Sequence, residues 1–98
     1  MFPFSLDAML KKAQEMRGVF ETKLQERSKK NFEGEAGAGM VKVTLNGLGD
    51  GLKLEIDPSL LHPQEGKVLN QLVLGAFNQA MAKVKEDLKQ EVSQFLPR

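Results

Sequence analysis

The sequence predicts an α+β fold in a single domain spanning residues 1–98: an N-terminal helix, a three-stranded antiparallel meander, a short helical turn and a long C-terminal helix. Three observations carry this reading. Apolar residues recur at spacings of three and four toward both ends of the chain, apolar and polar residues alternate in its middle, and glycine-rich segments punctuate the alternation. A chain of 98 residues is one domain at most. A domain of that size buries a smaller share of its surface than a large one, so association often completes its core.

In the first helix Ser5 supplies an N-cap, and Leu6, Met9, Leu10, Ala13, Met16, Phe20 and Leu24 form an apolar stripe that ends near Arg27. At about 100° per residue, Lys12, Lys23 and Arg27 line one flank of that stripe. Gly18 interrupts it and weakens the helix locally by roughly 1 kcal/mol relative to alanine. The segment KKNFEGE then loses the helical period and reads as a first strand. Val41, Val43 and Leu45 alternate with Lys42, Thr44 and Asn46 in a second, half-buried strand. After the turn residues NGLGDG, a third strand sets Leu52, Leu54 and Ile56 on one face and Lys53, Glu55 and Asp57 on the other.

Asp57 followed by Pro58 reads as an N-cap and first helical position, giving a short turn of helix through Leu61. From about Gln64 onward, one long apolar stripe includes Leu69, Leu72, Val73, Ala76, Phe77, Ala80, Val84, Leu88, Val92 and Phe95. Such a helix of about 30 residues is about 45 Å long, whereas a compact 100-residue domain has a radius of gyration of about 13 Å. The C-terminal helix is therefore expected to overhang its sheet, with Val84, Leu88, Val92 and Phe95 seeking a second surface. The small sheet also has edges that invite pairing. A symmetric homodimer answers both demands.

The stretch EGEAGAGMVKVTLNG poses a choice between a phosphate cradle and a turn. A Walker-type loop needs a lysine and a hydroxyl after its last glycine, and a dinucleotide fingerprint needs a helix after its glycines. Here a strand follows, so the glycines read as a hairpin turn that uses their freedom at positive φ. Asp50, Glu55 and Asp57 follow the solvated alternation of a strand and lack the converging oxygens of a cation site. His62 has no serine, acid or metal partner at a recognisable spacing, and Ser5, Ser59 and Ser93 lack a nucleophile elbow. No catalytic or metal-binding constellation is read, and no cofactor or small-molecule substrate is expected.

Cysteine is absent, which removes disulfides, thiol nucleophiles and cysteine metal sites. The N-terminus lacks the order of a signal peptide, and no 18 consecutive apolar residues occur, so a cytoplasmic protein without a membrane partner is expected. A formal net charge of +1 hides a partition. Residues 1–30 hold seven Lys/Arg against four acids, residues 31–66 two against six, and residues 67–98 five against three. Local fields of this kind steer polyanions better than the whole-chain sum does. The helical cations, among them Lys11, Lys12, Lys23, Arg27, Lys85 and Lys89, leave two readings open: solubilisation of exposed faces or contact with nucleic-acid phosphates.

Three blocks in order, EGEAGAGMVKVTLNG, LEIDPSLL and AFNQAMAKVKE, make the sequence resemble the YbaB/EbfC family of bacterial nucleoid-associated proteins. The resemblance covers roughly residues 33–90. It implies an intertwined homodimer with a sheet-containing centre and tweezer-like helices, located on the nucleoid and binding double-stranded DNA with little or moderate sequence preference. The resemblance favours DNA contact for the helical cations without carrying over a residue-level site, and from the charge pattern the six cations named above are taken as the DNA-contacting residues. The alternative from another class is a dimeric protein-interaction module that does not bind DNA.

Overall fold

In the computed structural model, which describes residues 5–94 and 96, the elements follow the expected order. Helix α1 spans Leu6–Ser28, strands β1, β2 and β3 span Asn31–Ala36, Val41–Asn46 and Gly51–Ile56, and helix α2 spans Gly66–Ser93. Short 3-10 turns at Pro58–Leu60 and Pro63–Glu65 link β3 to α2. Ser5 caps α1 by accepting the Ala8 N–H at 3.1 Å, and Asp7 places a negative charge in the first turn, where the helix dipole favours it. Asp57 caps the first 3-10 turn through the Ser59 N–H at 2.9 Å.

The strands form one antiparallel sheet in the order β1-β2-β3. Gly37, Ala38 and Gly39, at φ of 65°, 55° and 87°, make the first hairpin turn. Ala38 alone bears the side-chain cost of that left-handed backbone. The second hairpin is organised by Asn46, whose Oδ1 accepts the Leu48 and Asp50 N–H groups at 2.9 and 3.0 Å. Gly34 does not belong to the turn. It lies inside β1 opposite Val43, and a Cβ there would overlap the Ala76 carbonyl oxygen and the Ala80 nitrogen of α2. Gly34, Ala76 and Ala80 therefore let the α2 backbone rest almost directly on β1.

That close approach builds the core. Val41, Val43 and Leu45 on β2, Leu60 from the 3-10 turn, and Ala76, Ala80 and Val84 on α2 are buried, with Phe32, Ala36, Leu69, Leu72 and Val73 packed around them. Leu45 and Val41 are the largest side chains wholly removed from solvent, each worth about 1.5–3 kcal/mol of apolar burial. The opposite face of the sheet is polar, and the register aligns Glu35, Lys42 and Glu55 in one row across the three strands and Glu33, Thr44 and Lys53 in the next.

Two expectations change. The helix that projects furthest is α1: α2 packs on β1 and β2 and runs on past them to the base of α1, while the contacts of α1 with the body, among the described residues, gather near that base. The chain is accordingly 74 × 26 × 19 Å in extent, with a radius of gyration of 20.4 Å against about 13 Å for a compact chain of this length. In addition, Leu52 and Leu54 of β3 are exposed, because α2 sits over the other two strands.

The glycines give a paired test. Gly34→Ala should destabilise the fold by about 1–3 kcal/mol, as overpacking does, and lower the midpoint of thermal unfolding by at least several degrees. Gly18 has nothing within 4 Å of its virtual Cβ. Gly18→Ala should raise helicity by circular dichroism and stabilise α1 by about 0.5–1 kcal/mol.

Candidate nucleic-acid interface

Helix α1 is a projecting rod whose side chains from Leu6 to Thr22 face solvent on all sides. Lys11 and Lys12 are exposed near its free end, and Lys23 is half-buried near its base, paired with Glu26 at 3.5 Å. Lys12 and Lys23 are eleven residues apart, which returns them to nearly the same side of the helix about 16 Å apart. Lys11 lies about 100° further round. Arg17 pairs with Glu21 at 3.1 Å in an exposed i,i+4 bridge of little energetic consequence. On α2, Lys85 and Lys89 are exposed one turn apart, on the side of the helix away from Asp87 and Glu91.

These five lysines do not converge on a concavity. Lys11, Lys12 and Lys23 are strung along the arm, Lys12 lying fifteen residues or about 22 Å beyond Arg27, and Lys85 and Lys89 lie on α2. A linear display of cations suits an extended polyanion and offers no enclosed environment for a small substrate. Among the described residues, no group of three or more His, Cys, Asp or Glu side chains could hold a metal ion. No helix there is long and apolar enough to cross a membrane.

Arg27 departs from the sequence-based expectation. It is only 5% exposed, and its guanidinium is directed inward. Nε donates to the Gly47 carbonyl at 3.0 Å, and Nη1 donates to Asp87 at 3.1 Å and to Glu91. Arg27 is thus spent on acids of its own chain and is withdrawn from the phosphate-contact set. Its flank position on α1 is correct, but at the last turn that flank meets α2. The Asp87 carboxyl is held below its ordinary value by hydrogen bonds from Lys30 and then Arg27, against some desolvation.

The expected dimer residues also divide. Val84 is 3% exposed in the protomer's own core, because its side of α2 faces the sheet. Leu88 and Val92 are exposed on a different side of the helix, and Phe95 lies outside the described residues. Sequence reasoning missed the surface that continues this second stripe. Leu74 and Phe77 of α2 and Leu52 and Leu54 of β3 line an open apolar cleft. The signal was present in α2, whose apolar residues fall on two sides about 110° apart, too broad for a helix with a single buried face.

Comparison with known proteins follows this geometry. A family model described as the YbaB/EbfC DNA-binding family matches residues 2–98. A nucleoid-associated protein of Rhodospirillum rubrum is 38% identical over 91 residues, covering 93% of this chain and 85% of the relative. One from Bartonella tribocorum is 37% identical over 84 residues, covering 86% and 78%. The crystal structure of an uncharacterized protein from Helicobacter pylori superposes with a TM-score of 0.72 at 27% identity, covering 86% of this chain and 98% of that one.

The lowered pKa of Asp87 predicts an acid-sensitive contact. A carboxyl with a depressed folded-state pKa contributes stability that is complete above its ordinary value of 3.8 and is lost as pH falls through the folded value. The stability advantage of wild type over Asp87→Asn, measured by urea unfolding, should hold at neutral pH and shrink as the pH falls below about 4. An advantage independent of pH across that range would deny Asp87 this role.

Proposed function

The chain belongs to the YbaB/EbfC DNA-binding family, and from that premise we propose that it is a nucleoid-associated homodimer that binds duplex DNA with little or moderate sequence preference. The observation that carries this reading is the projecting arm, a helix of 23 residues that presents Lys11 and Lys12 to solvent near its free end and holds the half-buried Lys23 nearer its base. Lysines displayed in this way neutralise phosphates and release condensed counterions, which gives affinity without reading base edges. Lys85 and Lys89 extend the display toward the body. The names of the bacterial relatives support the same partner and a place on the nucleoid, and the family is defined by DNA binding rather than by an enzymatic activity.

The homodimer is supported by the uncovered half of the sheet. Each protomer carries both a bare apolar strand, with Leu52 and Leu54, and a bare helix ridge, with Leu74 and Phe77. A two-fold pairing lets each copy's ridge cover the other's strand, the self-complementarity that an isologous interface requires. Leu88 and Val92 continue the ridge. A charge introduced within the patch, as in Phe77→Glu, should convert the dimer to monomer in sedimentation at micromolar concentration. A monomeric wild type under the same conditions would sink the dimer.

The exposed stripe of Leu6, Met9, Met16 and Phe20 on α1 favours one second reading, a dimeric module that recognises a protein instead of DNA. Salt titration separates the two. If each subunit places two or three of the five lysines on phosphates, log affinity against log salt should fall with a slope of roughly −4 to −5 on unrelated duplexes. Lys12→Glu with Lys23→Glu should flatten the slope and weaken all duplexes about equally, whereas reversing Lys42 and Lys53 on the sheet should do much less. No binding at low salt, together with a stoichiometric protein partner from nuclease-treated lysate, would favour the second reading.

A further inference from the structure

The arm has to leave the body in some direction, and hardly anything along its length determines which. Among the described residues, its hydrogen bonds to the body gather at its last turn. There the Arg27 carbonyl accepts the Gly47 N–H at 3.0 Å while the Arg27 side chain donates to the Gly47 carbonyl, so one residue grips the β2–β3 turn through both its backbone and its guanidinium. Gly47 permits this approach, because a Cβ there would overlap the Arg27 carbonyl oxygen. The guanidinium then continues to Asp87 and Glu91, which are four residues apart on one side of α2, and Lys30 closes on Asp87 at 3.1 Å. The side chain of Arg27 is 6% exposed, and those of Asp87 and Glu91 are 29% and 19% exposed.

We propose that Arg27, Asp87 and Glu91, with Lys30, are positioning residues that fix the direction of α1, and that duplex affinity depends on this direction although none of the four touches DNA. The proposal rests on the DNA-binding reading above. An arm held in one orientation presents its lysines at a defined separation from those of the second arm, and binding then loses little orientational freedom. An arm released at its base keeps every lysine and loses that advantage. Arginine suits the position because its planar fork serves several acceptors at once, which a lysine ammonium does not reproduce.

The acids make the test decisive, because positioning and simple charge predict opposite signs. Replacing Asp87 with Asn and Glu91 with Gln removes negative charge and frees two cations. If charge alone governed binding, the double variant would bind DNA more tightly. The positioning role predicts weaker binding, on the order of tenfold, with the slope of log affinity against log salt unchanged, because the number of phosphate contacts is unchanged. Arg27→Lys serves as the second variant. It keeps the charge that a phosphate contact would need, yet it should weaken binding in the same way.

Arm anchoring is read without DNA. The chain has no cysteine, so a fluorophore placed through Gln14→Cys reports α1 alone, and its nanosecond anisotropy should decay further in both variants than in wild type, with sheet and helix content preserved by circular dichroism. Tighter binding by the acid-neutralised variant, or wild-type affinity in Arg27→Lys, the result expected if only the charge at that position mattered, would overturn the proposal. So would unchanged arm anisotropy. A wild type that fails to bind DNA defeats the functional reading and the affinity claim with it, while the anisotropy still decides whether the clamp holds the arm.

Discussion

The architecture depends on the clamp that Arg27 makes between three parts of the chain. The guanidinium is almost wholly buried, and a buried charge is tolerated only when it is paired and its donors are used. Here they are used by the β2–β3 turn and by two acids of α2. Removing one partner would leave the others desolvated, so the clamp works as a unit. Through it the free-standing helix becomes continuous with the body, and without it the chain reduces to a helix-on-sheet core joined to an unattached rod.

A second constraint acts through the absence of side-chain bulk. Gly34, Ala76 and Ala80 bring α2 so close to β1 that the helix cannot also cover β3. The half-covered sheet follows from this offset, and so does the second apolar side of α2, which would be surplus in a helix centred over its sheet. Small residues at one contact thus decide which large residues remain for another copy of the chain. The core and the proposed dimer surface are two results of one placement.

How much of this is legible in the sequence depends on the range of the interactions. The Ser5 and Asp57 caps, the alternation of Val41, Val43 and Leu45, and the turn glycines Gly37 and Gly39 are local, and all are readable from their neighbours in the chain. Residue patterns of fold and family are likewise readable from the ordered blocks between residues 33 and 90. What is not readable is which helix stands free, because that is settled by the fit of Gly34 beneath Ala76 and Ala80, more than 40 residues away. The burial of Arg27 is hidden for the same reason: its acids lie 60 and 64 residues along the chain, and on α1 alone it has the same flank position as Lys12 and Lys23. Val84 is assigned to the wrong surface because one continuous stripe conceals two apolar sides.

The polar face of the sheet has a consequence for how a polyanion arrives. Its central row alternates Glu35, Lys42 and Glu55, and the neighbouring row sets Glu33 against Lys53, so each lysine is flanked by acid and the acids are in excess. A polyanion approaching that face finds its attraction cancelled within a few ångströms, well inside the ~8 Å screening length of physiological salt. The arm also intersperses acids and pairs Arg17 with Glu21 and Lys23 with Glu26, so its positive charge is offered locally, above all where Lys11 and Lys12 stand side by side near the free end. Charge on both the sheet and the arm therefore acts at the range of contact, within a screening length of the surface, and what distinguishes the arm is that its adjacent lysines stand clear of the body.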